Sequence, residues 1–428
     1  MRRLLHIVMA VLLIGAAVPA LFAGGRSEAK SDVRKIEFWG YADNRNQWLE
    51  AIAGKFEQET GSEVSILSMP FAQVHDQLQT ALVSGIGAPD IADINIYQFG
   101  RFTRGERTGF VALNDYLTSE ILQNLYASAA LDPWSADGVY YGLGNELNPT
   151  FMYYRWDLLE EAGIEMPITT WEEFTAAGIQ YVERTGKKFV WVHPQMWQEW
   201  WILAMSGKGF FNADGDVAFD DVLGRRVLQM MQDWIYKYEI AGIAPLDGPA
   251  QYGALGADDF AVLFRASWFG GFLKDNIPQL SGKWMMQEHP VFADGLGAPT
   301  GAIGGTAMVI TEQSANPDLA WELIAYANLS TENLAAAFQR FNLFPTYRPM
   351  WDDPALYQSD PYFNNQKPGE WIGRAGQSIP SYNPSPFWPE VSIYFQEYIV
   401  NPVVLGEMSA DQAMDAGIRG ARNLLEDY

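Results

Sequence analysis

The 428-residue chain contains no cysteine and only four histidines, and both shortages exclude certain chemistry. Without cysteine the chain can form no disulfide framework, carry no acylated cysteine and use no thiol nucleophile. The histidines are too scattered to show the spacing of metal ligands. The Gly-x-Ser-x-Gly pattern of serine hydrolases is also absent from the sequence. We therefore expect neither a metal nor a cofactor.

Positive charge is scarce as well. The sequence has 28 lysine and arginine residues against 52 aspartate and glutamate residues, which gives a formal net charge of −24. A strongly negative net charge disfavours binding to nucleic acid, anionic lipid or a phosphorylated ligand, because these are negatively charged as well. Solubility is the simplest use of this charge, and the charge says nothing about the fold.

Long apolar runs are missing except at the amino terminus. Two arginines precede an apolar run from Leu4 to Val18, and small residues follow it. This order predicts a secretory signal peptide over residues 1–23 and a polar tether over 24–34. A membrane anchor is the alternative, although the run is shorter than the roughly 20 residues that span a bilayer. We expect a periplasmic protein that is secreted through a cleaved signal peptide and is not lipid-anchored.

Strand and helix patterns alternate along the first part of the chain. Short apolar runs predict strands, and apolar residues at helical spacing predict helices between them. In order, we predict a strand over 35–39, a helix over 45–59, a strand over 64–67, a helix over 73–83 and a strand over 90–96. This alternation is typical of an open, mostly parallel sheet flanked by helices.

A second series of elements begins near residue 151. We predict strands over 151–154 and 260–266, and helices over 155–162, 171–185, 197–206 and 223–238. The length of the chain suits two or three domains, and two series of elements favour two. The sequence therefore predicts an α/β protein with two lobes.

The stretch 301–345 has the clearest local signals. Gly304 and Gly305 allow the backbone to approach a neighbour or a ligand closely, and the apolar run after them predicts a strand over 306–310. Asn316 can then cap a helix, because its side chain offers an acceptor to the first backbone N–H groups. A second capped helix follows, and a proline closes the segment.

Several motifs occur in an order that resembles one protein family. They are SGIGAPDIADI at 84–94, YGLGNELNPTFMYYRWDLLEEAGIEMPITTWEEF at 141–174, RASWFGGFL at 265–273 and NPDLAWELIAYANLSTENLAAAF at 316–338. This order resembles the extracellular solute-binding proteins of family 1 that serve ABC importers, in the carbohydrate branch that includes maltose-binding protein. The likeness covers nearly all of the chain after the predicted signal peptide.

The resemblance implies a fold and a division of the chain. It implies a periplasmic-binding-protein type II fold, in which two lobes each contain a mostly parallel sheet flanked by helices. The chain would cross between the lobes near 142–148, 290–301 and 345–351, and each of these segments is rich in Gly or Pro. The N-terminal lobe would comprise 32–143 and 297–346, and the C-terminal lobe 144–296 and 347–428.

The resemblance also implies a function. Such a protein is a monomer that closes on a carbohydrate ligand, here an oligosaccharide, and delivers it to the permease subunits of an ABC transporter in the membrane. It binds no nucleic acid and is not an enzyme. Two alternatives stay open. One is a secreted glycoside hydrolase, since acidic, tryptophan-rich chains also suit polysaccharide cleavage, and the other is a receptor for another neutral solute such as a polyol.

Aromatic residues are abundant, with 16 Trp, 20 Tyr and 24 Phe, and we expect some of them to line a binding surface. A sugar site needs flat apolar faces beside planar polar groups. Trp268 is the foremost candidate, because the resemblance implies a ligand-stacking tryptophan at this turn, although Ser267 stands where the family usually has glycine. The further candidates for ligand binding are Trp39, Tyr41, Asp43, Asn44, Gln98, Asn145, Glu146, Trp197, Trp200, Gly304, Gly305, Phe344, Trp351 and Trp388.

Several candidates also have a purely structural interpretation. Asn44 can cap a helix without any ligand, and Glu146 can face solvent. The tryptophans near residue 200 can form one wide hydrophobic helix face. The tryptophans that we predict to be core residues, because they lie on amphipathic helix faces, are Trp48, Trp171, Trp234 and Trp321.

Overall fold

The computed structural model of the protein describes residues 33–105, 107–192, 197–204, 210–212, 214–243, 249–380 and 385–426, apart from the side chains of 197–199 and 201. The predicted signal peptide and nearly all of the predicted tether lie outside the described residues. Within the described part, no helix is both long and apolar enough to cross a membrane. Two five-stranded sheets organise the described residues into two lobes.

Fourteen strands and seventeen α-helices are found among the described residues. The strands are β1 (Lys35–Gly40), β2 (Glu63–Ser68), β3 (Ile91–Asn95), β4 (Ser135–Ala136), β5 (Val139–Tyr140), β6 (Gly142–Gly144), β7 (Glu146–Leu147), β8 (Thr150–Arg155), β9 (Lys188–Val192), β10 (Ala241–Ile243), β11 (Phe260–Ala266), β12 (Trp284–Gln287), β13 (Thr306–Ile310) and β14 (Phe344–Pro345). The helices are α1 (Asp43–Thr60), α2 (Phe71–Ser84), α3 (Ile96–Phe99), α4 (Ser119–Asn124), α5 (Ala127–Ala130), α6 (Trp156–Glu161), α7 (Trp171–Thr185), α8 (Trp197–Ala204), α9 (Val222–Tyr236), α10 (Pro249–Gly256), α11 (Phe269–Asn276), α12 (Pro317–Asn328), α13 (Thr331–Phe341), α14 (Pro368–Gly376), α15 (Trp388–Phe395), α16 (Asn401–Val404) and α17 (Ala410–Glu426).

The sheet of the first lobe has the strand order β2-β1-β3-β13-β6. β1 pairs in parallel with β2 and β3, whereas β13 pairs antiparallel with both β3 and β6. Ile36 and Phe38 of β1 are buried, and α1 covers them with Trp48, Ile52 and Phe56. The helical spacing of these three residues gives α1 one apolar face, and burial of that face holds the helix on the sheet.

The sheet of the second lobe has the order β10-β9-β11-β8-β12. β9 pairs in parallel with β10 and β11, whereas β8 pairs antiparallel with β11 and β12. Trp171 and Phe174 of α7 pack on Trp234 of α9 and on Phe264 of β11. These rings form a continuous aromatic core between the sheet and its helices.

The predicted two-lobed α/β fold is confirmed, with one refinement in strand direction. In each sheet one strand runs opposite to the other four, β13 in the first sheet and β8 in the second, so both sheets are mixed but mostly parallel. β13 enters the first sheet after the chain has passed through the second lobe, and it therefore arrives from the opposite end to β3.

The passages of the chain between the lobes lie side by side. β7 connects the strands of the two sheets, Pro149 forms a bridge with Ala302, and β14 pairs antiparallel with β7. Neighbouring passages of this kind form a hinge about which two lobes can move. The exact lobe boundaries predicted from the sequence stay predictions.

Many of the local elements match their sequence predictions. α7 and β11 have the predicted bounds, and α1 ends at Gly61 in the left-handed conformation that favours glycine. The predicted carboxyl end of α8 lies outside the described residues. Of the tryptophans predicted to be core residues, Trp48, Trp171 and Trp234 are buried, whereas Trp321 is half-buried and stacks on Tyr116.

Candidate functional site

A cavity of about 300 Å³ lies between the two lobes, beside the chain crossings. Its lining residues are Ile96, Tyr97, Tyr126, Ser128, Ala129, Asp132, Pro133, Trp134, Glu146, Asn148, Ala302, Gly304, Gly305, Gly376, Ile379 and Pro380. This volume is at the lower end of the range for small-molecule sites, about 300–1,000 Å³. Because both lobes and the crossings contribute walls, a ligand here would contact both lobes.

Glu146 is the most unusual polar group in the wall of the cavity. It belongs to β7, is 7% exposed, and its Oε2 atom has no hydrogen-bond partner among the described residues. Burial raises the pKa of Glu146 to about 7, against the lowering effect of Arg45 and with a further upward contribution from Asp93. A buried acceptor without a donor is costly, so Glu146 is suited to accept a hydrogen bond from a ligand.

A buried ion pair acts on Glu146 through its charges. The Arg45 guanidinium donates two hydrogen bonds to the Asp93 carboxylate, at 3.0 Å from Nε and 2.9 Å from Nη2, and both side chains are almost completely buried. A third N–H of Arg45 donates to Asn145 Oδ1. Burial raises the pKa of Asp93, and Arg45 opposes this rise. The single positive charge of Arg45 thus acts on two buried carboxylates, Asp93 and Glu146. It therefore does not fully neutralise the charge of Glu146.

The glycine pair at the entry of β13 forms part of the cavity wall. Gly304 and Gly305 have φ values of +88° and +120°, which L-residues with side chains rarely adopt. A Cβ atom at Gly304 would lie 3.3 Å from the indole nitrogen of Trp268. The pair therefore brings bare backbone to the cavity wall.

Trp268 lies next to this glycine pair but is not among the residues that line the cavity. Its indole N–H donates to the Ile303 carbonyl at 3.1 Å, and the half-buried ring packs against the apolar clusters of both lobes. The turn before it is held by the Ser267 N–H, which donates to the Pro149 carbonyl at 2.9 Å. Trp268 thus lies at the junction between the lobes, next to a residue of the cavity wall.

Tyr97 is a cavity residue that the sequence analysis missed. Its ring stacks on Trp388 of the second lobe at 4.1 Å between centroids, and its hydroxyl accepts from the Gly304 N–H at 3.2 Å. The predicted neighbour Gln98 instead accepts a hydrogen bond from Arg101 at 3.1 Å and does not line the cavity. The signal that could have found Tyr97 is its position directly after β3, where ligands of open sheets bind.

The predicted candidates in β1 and just after it are not among the residues that line the cavity. Trp39 is buried in the core of the first lobe and donates to Glu37. Tyr41 shares a hydrogen bond with Thr306, and burial is the largest cause that raises its pKa. The remaining two differ in exposure, since Asp43 is exposed on the first turn of α1, whereas Asn44 is buried and accepts from the Arg45 N–H. The structure therefore gives these residues structural contacts rather than a place in the cavity wall.

Trp200, predicted as a ligand contact, lies in the core of the second lobe. It is 1% exposed, its indole N–H donates to the Gly224 carbonyl at 2.8 Å, and its ring packs against Phe210 and Phe395. The side chain of Trp197 lies outside the described residues. Trp200 therefore belongs to the core of the second lobe.

Three further candidates lie around the cavity without lining it. Phe344 is 1% exposed and packs in the core. Trp351 is half-buried in a separate surface groove, where its indole N–H donates to the Pro345 carbonyl at 2.8 Å. Trp388 is buried under Tyr97. The candidates that do line the cavity are Glu146, Gly304 and Gly305.

The chemistry of the cavity is that of recognition by hydrogen bonds and aromatic contact. Asp132 is a second carboxylate on its wall, and Asn148 adds an amide. Among the described residues, no three His, Asp or Glu side chains are grouped so that they could hold a metal ion. Aromatic rings beside planar polar groups suit a ligand with both apolar faces and hydroxyl groups.

Comparisons with known proteins agree with this geometry. The family of bacterial extracellular solute-binding proteins matches residues 51–365 of the chain. A relative from Halalkalibacterium halodurans, named an arabinooligosaccharide-binding protein, is 29% identical over an alignment of 383 residues that covers 86% of this chain and 84% of the relative. A protein of the same name from Bacillus subtilis is 24% identical over an alignment of 370 residues that covers 85% of this chain and 84% of the relative.

A solved structure shows the same fold. The GacH receptor of Streptomyces glaucescens, which has been solved unliganded and in complex with acarbose, superposes with a TM-score of 0.78. The two sequences are 18% identical, and the superposition covers 92% of this chain and 99% of the receptor. At this identity the likeness shows the shared fold.

Proposed function

The chain belongs to the bacterial extracellular solute-binding proteins, and we propose that it binds a neutral oligosaccharide between its lobes and delivers it to the permease of an ABC transporter. The members of this family are binding proteins rather than enzymes. The observation that carries the proposal is the cavity between the lobes, whose wall holds the buried Glu146 carboxylate with an unpartnered oxygen. A sugar hydroxyl is a neutral donor of the kind that this oxygen needs.

The ligand closes the protein by contacting both lobes at once. A ligand shifts an equilibrium between open and closed forms only through its differential contacts with the two forms. Glu146 of the crossing, Gly304 and Gly305 of the first lobe and Ile379 of the second lobe all line the cavity. A ligand in this cavity therefore favours the closed form. The permease in the membrane can distinguish the closed form from the open form by its shape.

Arabino-oligosaccharides are the first ligands to test. Two relatives that match more than four fifths of this chain bear the name arabinooligosaccharide-binding protein. We assign the contacts to Glu146, Gly304, Gly305 and Tyr97, with Trp268 and Trp388 as the aromatic residues that fix the cavity walls. The mature protein is proposed to be a periplasmic monomer without a lipid anchor, since the chain contains no cysteine for acylation.

Calorimetry on the mature chain tests the proposed function. We expect arabinotriose to bind more tightly than arabinose or sorbitol, because an oligosaccharide can reach both lobes. We expect it to bind more tightly than lactose or maltotriose as well, in line with the names of two relatives. Chromatography after long incubation should recover the sugar unchanged. Preferred binding of another oligosaccharide would change only the sugar class. Absence of binding to every sugar, or binding of sorbitol alone, would overturn the oligosaccharide proposal, and cleavage of the sugar would point to a hydrolase.

A further inference from the structure

The lobes also touch each other at a second place, beyond the cavity. Arg104 of the first lobe reaches Glu390 of the second lobe with two hydrogen bonds, 2.8 Å from Nη1 to Oε1 and 2.6 Å from Nη2 to Oε2. Its Nε donates to the Pro386 carbonyl at 2.9 Å, and its guanidinium lies 4.7 Å from the centroid of the Phe387 ring. One arginine thus makes three kinds of contact across the lobe boundary.

Gly100 makes the backbones of the two lobes meet beside this arginine. A Cβ atom at Gly100 would lie 2.6 Å from Pro386 Cα and 2.7 Å from the Ser385 carbonyl oxygen. The φ and ψ of Gly100 are −55° and −30°, a conformation that alanine adopts without strain. An alanine at this position would therefore fit the first lobe by itself and clash with the second lobe only when the lobes are together.

We infer that Gly100 and Arg104, with their partners Ser385–Glu390, form an interlobe clasp that sets the affinity of the protein for its ligand without contacting the ligand. None of these residues is among those that line the cavity. The inference rests on the proposed function, since it concerns the affinity of that same site. It adds residues that determine affinity from outside the binding site.

The clasp acts through the population of the closed form. Its ion pair, hydrogen bond and close backbone contact exist only while the lobes are together, so they favour the closed form before any ligand binds. The apparent affinity of a ligand falls in proportion to the fraction of protein in the binding-competent form. Each contact that is lost from the clasp should therefore weaken binding of every ligand by the same factor.

The ion pair predicts a dependence on salt as well. The side chains of Arg104 and Glu390 are each 28% exposed, so dissolved ions reach the pair. Screening by salt weakens such pairs. High salt should therefore lower the affinity of the wild-type protein and narrow its difference from variants that lack the pair.

Variants on both sides of the clasp test the inference by calorimetry with the tightest sugar of the panel. We expect Gly100→Ala to weaken binding about ten-fold or more, because the added methyl group overpacks the contact. Arg104→Gln should weaken binding about two- to five-fold, as expected for a partly exposed pair. Arg104→Glu should weaken it further, and adding Glu390→Arg to that variant should restore much of the loss. Melting temperatures without sugar should stay close to that of the wild-type protein.

Arg107→Gln is the matched control. Arg107 pairs with Glu312 inside the first lobe at 2.5 Å and makes no clasp contact. If Gly100→Ala and Arg104→Gln bind sugar as tightly as this control, the inference is overturned. If the wild-type protein binds no sugar, the proposed function fails. The clasp is then tested by small-angle scattering of the variants without sugar. A larger radius of gyration for Gly100→Ala than for the control would support the clasp, and equal radii would refute it.

Discussion

Substitution of Glu146 by glutamine separates stability from binding at the centre of the site. The wild-type carboxylate is buried, has an unpartnered oxygen and shares Arg45 with Asp93. Glutamine keeps the shape of the side chain and removes the charge. We expect Glu146→Gln to raise the stability of the protein without ligand and to lower its affinity for sugar. A gain in stability together with a loss of affinity is typical of substitutions at residues that serve function at a cost in stability.

The size of the stability change follows from the pKa. In the folded protein the pKa of Glu146 is about 7, compared with an ordinary value of 4.5. Since each pKa unit corresponds to about 1.4 kcal/mol, the ionised form costs on the order of 3 kcal/mol at pH 8. The folded state binds more protons between pH 4.5 and 7, so this cost grows as the pH rises through that window. The buried amide keeps part of the cost, which leaves a gain of about 1–3 kcal/mol.

Melting curves at several pH values measure this gain. For a chain of this length it corresponds to about 1–4 °C at pH 8 and to almost nothing near pH 4.5. Burial also lowers the pKa of His75 to about 4 and that of His289 to about 3 from the ordinary value of 6.5, so their contributions to stability change with pH below 6.5 and overlap this window. The quantity to compare is therefore the difference between variant and wild type at each pH. Glu161→Gln, on an exposed glutamate of α6, is the control.

The affinity should move in the opposite direction. A hydrogen bond to a charged group contributes about 1.5–3 kcal/mol, so the sugar should bind Glu146→Gln about ten- to hundred-fold more weakly. A variant that melts at or below the wild-type temperature at pH 8 would refute the account of the buried charge. If Glu146→Gln is more stable than the wild type but binds the sugar equally well, the account of the buried charge stands. Glu146 would then not be a ligand contact.

Three other predictions concern the tryptophans and the amino terminus. Trp268→Ala should weaken sugar binding by about 2–4 kcal/mol in calorimetry, whereas Trp321→Ala should not, and equal affinities would assign Trp268 to the core alone. Trp200→Ala should lower the free energy of unfolding by about 3–5 kcal/mol in urea titrations without sugar, and a change below about 1 kcal/mol would contradict its place in the core. Amino-terminal sequencing of the exported protein should begin near Gly24, and an intact Met1 in the membrane fraction would contradict cleavage.

The local elements could be predicted because their signals are contained in short stretches of sequence. α7 carries its own cap, in which Thr170 and Glu173 exchange hydrogen bonds, and its bounds follow from that pattern. The glycines at 304 and 305 indicate a backbone with positive φ, which residues with side chains rarely adopt. Strand direction is different, because it depends on the lobe from which the chain arrives rather than on the strand itself.

The residues of the cavity were harder to predict, for two physical reasons. α3 has only four residues and begins with an Asn95 cap, so the sequence does not reveal that Tyr97 rather than Gln98 meets the cavity. The Arg45–Asp93 pair joins residues that are far apart in sequence, and local patterns carry no sign of it. The charges of that pair influence the pKa of Glu146, and only the folded structure shows its unpartnered oxygen.

Which indole near residue 200 becomes buried is likewise decided at long range. Phe210, Phe219 and Phe395 surround Trp200, and Phe395 comes from a helix near the carboxyl end of the chain. Helical spacing shows that an apolar face exists but not which partners reach it. A prediction of a binding residue from an aromatic cluster therefore needs the tertiary contacts of each ring.

Small-angle scattering with and without arabinotriose tests the central claim, that a sugar is held between the two lobes and draws them together. The account predicts a smaller radius of gyration with sugar, the same molecular mass in both samples and a sugar that chromatography recovers intact. A sugar that binds tightly in calorimetry while the radius of gyration stays the same or increases would contradict it, because the ligand would then not draw the two lobes together.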